Sequence, residues 1–210
     1  MKRLGADYDS ALFNTCHPYE LGYMSEAESR EVLVRPAQGI LDYDPAALEL
    51  AYRLTRGQPY LLQLLGTVII ERFDTAVLNG EVRGDYVGLR DLEDAALDLV
   101  RRGNSAFDGY WGDADPQTRA LYATLAHVTD EGARPRLDRD GIALALREQR
   151  LDLAATDLFE RLERLSEDGF LVSEGPTYRF AVPLLRRWLA WRWPPEKLRA
   201  GGILRGEGAA

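Results

Sequence analysis

Apolar residues recur at helical spacing along most of the chain, and turn signals cut that pattern into segments. Ser25-Glu26-Ala27-Glu28 is a capping box, so a helix is expected from there to about Val34, stopped before Pro36. Asp44-Pro45 opens a second helix as N-cap and N1. Leu48, Ala51, Tyr52 and Tyr43 or Leu54 would line its buried side. It ends at Arg56-Gly57, and a third helix is expected from Pro59 to about Phe73. The centre of that third helix is apolar nearly all round, as a buried central helix must be. Asn79 to Gly84 is a loop, Tyr86-Val87 a brief extended piece, and Asp91 to Asp94 caps a fourth helix to about Arg101.

The second half has another rhythm. Asp115-Pro116 starts a helix through His127, with Leu121, Tyr122 and Leu125 inward. Asp138 or Asp140 caps a helix from Gly141 to Gln149. Leu158, Leu162 and Leu165 mark a helix over 154–168, stopped by Gly169. Phe170 to Ser173 and Tyr178 to Val182 flank Glu174-Gly175-Pro176-Thr177, which predicts a β-hairpin. Leu184 to Trp191 is one more helix, cut by Pro194-Pro195. Three helices followed by a hairpin is the winged-helix order. The expected fold is therefore mainly α: a small helical bundle over 25–103, then a winged-helix domain with a short β-hairpin over 104–193. An irregular leader (1–24), with a short extended piece near Tyr19–Tyr23, and a weakly packed tail (194–210) complete the division.

Tyr52 to Leu65 is the most informative stretch. Gly57 suits the left-handed C′ position that ends one helix, and Pro59 suits the first turn of the next. Such a Gly-x-Pro elbow leaves a helix N-terminus whose backbone N–H groups can meet an anion or nucleotide. The plain alternative is a corner between two packed helices.

Composition narrows the chemistry. The 210 residues are 46% hydrophobic and 29% charged, a globular balance. No apolar run is long enough to span a bilayer, so membrane insertion is not expected. Cys16 is the single cysteine, read as an inert thiol; cytoplasm is the expected compartment. The only lysines, Lys2 and Lys197, stand outside any G-x-x-x-x-G-K-[ST] motif, so the chain has no phosphate-binding P-loop. His17 and His127 lack companions at ligand spacing and read as surface or structural residues, with no metal site expected. The net charge of −8 argues against general nucleic-acid binding.

Taken in order, the R-G-Q-P-Y-L-L-Q stretch from Arg56 and the Y-R-F-A-V-P-L-L-R-R-W-L stretch from Tyr178 resemble the C-terminal half of bacterial and archaeal AAA+/STAND-type ATPases. Leu12 to Ser25 looks like the segment that leaves the last core strand of such an ATPase. The resemblance implies a helical lid and a winged-helix domain that follow a P-loop domain. It implies that Gly57, Gln58, Pro59 and the adjacent Tyr60 lie against the adenine and ribose of a bound nucleotide, with Arg56 or Arg53 approaching phosphates. No cofactor is expected in isolation; ATP or ADP is expected only where the chain is joined to a P-loop domain, its expected partner. The expectation is a non-catalytic regulatory and interaction module, either the back half of a longer ATPase or a stand-alone relative.

The alternative is a DNA-binding winged helix. Its recognition-helix candidate, 154–168, carries Asp157, Glu160, Glu163, Glu167 and Asp168 against Arg161 and Arg164, the wrong charge for a major groove. A last candidate surface is the basic aromatic segment Arg186, Arg187, Trp191 and Arg192, with Trp188 and Trp193, read either as a partner surface or as packing.

Overall fold

A computed structural model describes residues 22–102, 105–112, 114–149, 151, 153–194 and 196–197. Cys16, His17, most of the Tyr19–Tyr23 piece and the tail beyond 197 lie outside these residues.

Helix α1 (Glu26–Val34) starts at the expected capping box. The Ser25 amide donates to Glu28 Oε2 at 2.8 Å, and the Glu28 amide donates back to Ser25 Oγ at 3.3 Å. The bond from the Ser25 amide, then one from the Ser25 hydroxyl to Glu28 Oε2 at 2.7 Å, hold the Glu28 carboxyl below its ordinary range. Strand β1 (Asp42–Tyr43) and helix α2 (Pro45–Thr55) follow, with Asp44 accepting from Ala46 N at 2.8 Å as N-cap. Helix α3 (Pro59–Leu78) runs five residues past the expected end. Asp74-Thr75 looks like a break in sequence, but Phe73 and Ala76 are both buried, so the apolar stripe carries the helix on.

Strand β2 (Tyr86–Val87) is extended as expected, and it pairs parallel with β1, Asp42 opposite Tyr86. Helix α4 (Leu89–Arg102) begins before its expected cap. Asp91 sits inside the first turn and accepts from Gly88 N at 2.9 Å, the N3 role rather than the N-cap role.

Helix α5 (Ser105–Gly112) was not anticipated; it lies where the domain boundary was expected, and its Phe107 and Trp111 are buried. Then come α6 (Pro116–Val128), β3 (Leu137–Asp138), α7 (Arg139–Glu148), α8 (Ala155–Glu167), β4 (Leu171–Glu174), β5 (Thr177–Phe180) and α9 (Pro183–Arg192). The three short strands form an antiparallel sheet in the order β3-β5-β4, Leu137 opposite Tyr178 and Leu171 opposite Phe180. Gly175, at φ +63, supplies the left-handed residue that the hairpin turn requires.

The fold is mainly α, a helical bundle followed by a winged helix with its short hairpin. One buried apolar cluster includes Leu54, Leu62 and Leu92 of the bundle and Leu121, Leu162 and Trp188 of the second half. Helix α9 links the two. It packs against α6, and it also packs against α2 and α4. Trp188 stacks on Phe107 at 5.3 Å between ring centroids, and each large side chain so buried contributes about 2–3 kcal/mol by removal from water.

Candidate functional site

The elbow between α2 and α3 is built by four consecutive residues. Thr55 is buried at the end of α2. Its hydroxyl donates to Ala51 O at 2.8 Å and accepts from Gly57 N at 3.3 Å, which ties the turn to the helix it leaves. Arg56 and Gly57 are both left-handed, at φ +53 and +76. Gln58 is the N-cap of α3, with Pro59 at the first helical position. The Gln58 side chain accepts from Leu61 N at 2.6 Å.

That last bond changes the expectation about an open helix end. Pro59 has no N–H, and Leu61 N is already taken by Gln58. The chain itself closes the other side. Met24 N donates to Gly57 O at 2.8 Å, and a Cβ on Gly57 would overlap the Met24 carbonyl. Only glycine allows this approach.

The second half approaches one side of the elbow, at Gln58 and Leu61. Tyr23, Gln58 and Leu61 share one small cleft with Phe107, the Asp168-Gly169-Phe170 turn and Leu185. Its volume is about 40 Å³, which suits a few waters rather than a nucleoside. The elbow residues Gly57, Gln58, Pro59, Tyr60 and Arg56 are thus brought together; Gly57 is buried, Arg56, Gln58 and Pro59 are half-buried, and Tyr60 stays exposed.

The wing tip is held by ion pairs of its own. Glu174 accepts from Arg179 Nε at 2.8 Å and from Arg136 Nη1 at 2.7 Å. The bond and charge of Arg179, then the charges of Arg136 and Arg56, hold its carboxyl below the ordinary range.

Arg161 of helix α8 is committed inward. Arg161 donates to Asp115 Oδ2 and to Thr118 Oγ1, both at 2.7 Å, and to Gln117. Asp115 is the N-cap of α6, so Arg161 clamps the recognition-helix candidate to the first helix of its own domain. Arg164 stays exposed beside Asp157, Glu160 and Glu167.

In the basic aromatic segment, Arg186 and Arg187 bond within the protein itself. Arg186 Nη1 donates to the carbonyls of Ala126 and Thr129, each at 3.0 Å, where the end of α6 leaves acceptors open. Arg187 grips Glu131 with two donors, Nε at 2.7 Å and Nη2 at 2.6 Å, and Arg186 Nη2 adds a third at 3.1 Å. Burial would raise the Glu131 carboxyl, but the arginine bonds and charges outweigh it and hold it low. Arg187 also reaches Glu93 of α4 at 3.3 Å. Trp193 stacks on Trp111 at 4.3 Å, with Arg192 and Lys197 over its ring at 5.0 and 4.9 Å. Trp191 is the exposed tryptophan of the segment. His127 Nε2 lies 3.2 Å from Trp193 O, a structural contact.

Among the described residues, no group of His, Cys, Asp and Glu is arranged to hold a metal ion, and no helix is long and apolar enough to cross a membrane. No protein-family model matches the chain, and no curated protein matches it. The residues that sequence reasoning missed are Thr55, Met24, Glu131 and Glu93. Only Thr55 carries a local signal, a threonine just before a helix-ending glycine.

Proposed function

We propose that the chain is a non-catalytic regulatory module, a helical lid and winged helix that act on a P-loop ATPase domain. The observation that carries this reading is the elbow, buried at Gly57 and partly covered at Gln58. A Gly-Gln-Pro turn of the kind that resembles a nucleotide-facing lid sits under the chain segment at Met24 and the turn at Gly169. Such an arrangement suits a control element held shut, because a ligand shifts a two-state equilibrium only by its differential affinity for the two states. ATP or ADP would meet Gly57, Gln58, Pro59, Tyr60 and Arg56 only when a P-loop domain supplies the phosphate site.

Calorimetric titration of ATP and magnesium into residues 1–210 tests the non-catalytic claim. The expected result is no saturable binding below about millimolar concentration and no turnover. Tight, magnesium-dependent binding or hydrolysis overturns it. An electrophoretic shift at low salt tests the DNA-binding alternative. With Arg161 tied to Asp115 and the rest of α8 acidic, no duplex binding below micromolar concentration is expected. A submicromolar complex reverses the ranking.

A further inference from the structure

We propose that the far end of α3 is a docking surface for a basic amphipathic helix of a partner protein. The helical rise over residues 59–78 puts this end roughly 28 Å from the elbow, so the surface stands apart from the site described above.

The surface begins as a pattern in the helix. Ile70, Val77 and Leu78 are spaced i, i+7 and i+8, which sets them on one stripe of α3, with Asp74 among them. All three apolar side chains are exposed, Val77 at 67% and Leu78 at 86%. Val82, in the loop that follows, is exposed as well. The other side of the same turns, Ile69, Phe73 and Ala76, is buried in the bundle. Leu33 of α1 packs at Gly66, one turn before Ile70, and the stripe runs on beyond that contact. The last turns of α3 are therefore apolar on two sides, and the bundle covers one of them. A contiguous exposed apolar stripe marks a place where another surface sits.

Charge says which kind of surface. Arg72 bonds Asp94 and Asp98, Arg83 bonds Asp91, and Arg102 bonds Glu71. These pairs use the arginines of this end. Among the described residues, Asp74, Glu81 and Asp85 take part in no ion pair. The last turn of α3 holds no basic residue, so these acids add to the negative pole of the helix instead of offsetting it. The occupant that fits carries apolar residues at three- and four-residue spacing with Lys or Arg beside them. The same field repels nucleic acid and anionic lipid. A two-fold pairing with a second copy would set Asp74 and Glu81 against like charges.

Fluorescence anisotropy on the intact chain tests this, with a labelled synthetic peptide that has leucines at three- and four-residue spacing and lysines elsewhere. Saturable binding with a Kd of about 1–100 µM is expected. Val77→Ser with Leu78→Ser should weaken it about tenfold. Asp74→Lys with Glu81→Lys should weaken it at least about tenfold and confer binding of the same peptide with glutamates in place of lysines. All four positions are exposed, so the fold survives, and helical circular dichroism checks that. Glu160→Lys with Glu167→Lys on α8 removes as much negative charge elsewhere and should leave binding unchanged. No saturable binding of the lysine peptide by the unaltered chain overturns the proposal. So does an equal loss in the α8 variant, which signals attraction to net charge alone. Sedimentation supplies a further arm: a dimer of the unaltered chain that Val77→Ser with Leu78→Ser dissolves gives the stripe to a second copy and overturns the partner reading.

Discussion

The amide of Met24 donates to the carbonyl of Gly57 at 2.8 Å, and the two backbones stand so close that no side chain fits between them. Two constraints coincide at Gly57, a left-handed φ of +76 and a wall of backbone where Cβ would lie. The elbow depends on both. Gly57→Ala is expected to destabilise the protein by about 2 kcal/mol or more, combining left-handed strain with displacement of residues 22–25. Urea unfolding gives the magnitude. Faster exchange at Met24 N shows that the contact has parted. A loss under about 0.5 kcal/mol would contradict the account.

Asp115 titrates at about 2 in the folded chain. Burial alone would raise it, but the Thr118 hydroxyl, Arg161 and the Thr118 amide outweigh that effect. A carboxyl depressed on folding adds stability above its unfolded value near 3.9, and the gain disappears as pH falls toward about 2. Asp115→Ala should therefore cost about 1 kcal/mol at neutral pH, discounted from the full shift because the side chain is half exposed. The cost should shrink steadily below pH 4. In a cycle with Arg161→Ala, the coupling should be about 0.5–1 kcal/mol at neutral pH and near zero at the acid end. Chemical denaturation across that range checks both. A cost that does not change with pH would rule out the ion pair as its source.

Trp188 is buried against Phe107 in a cluster that includes residues of both halves. Trp188→Ala should cost about 3–5 kcal/mol. Trp188→Phe should cost less, since among the described residues the buried indole N–H has no bonding partner to lose. The shared cluster further predicts one cooperative unfolding transition, monitored together by helical circular dichroism and tryptophan emission. Two separate transitions would show that the halves are held independently.

Much of the fold was legible where local chemistry decides the outcome. Ser25 with Glu28, Asp44 with Pro45, Asp115 with Pro116, and Gly169 all start or stop helices by bonds within a few residues. The hairpin around Gly175-Pro176 follows the same logic. What escaped depends on partners far away in the chain. Strands β1 and β3 are two residues long, and each exists only because a distant strand pairs with it. Helix α5 has Gly109 and Gly112 in a short aromatic run, and its place is fixed by burial of Phe107 and Trp111. At the candidate site, the elbow itself could be read from Gly57 and Pro59. Its covering by Met24 could not, because no local rule says which segment will lie beside a turn. The internal bonds of Arg186 and Arg187 were hidden for the same reason. A run of arginines looks free until the position of Glu131, some 55 residues away, is known.

The return of α9 onto α2 and α4 has a consequence during synthesis. The helix that finishes the apolar packing of the earlier segments starts only at residue 183. As the chain emerges from the ribosome, greasy patches on α2 and α4 wait uncovered until α9, some 80 residues after the end of α4, has been translated. That interval is when a chaperone, or a neighbouring nascent chain, has its best opportunity to bind.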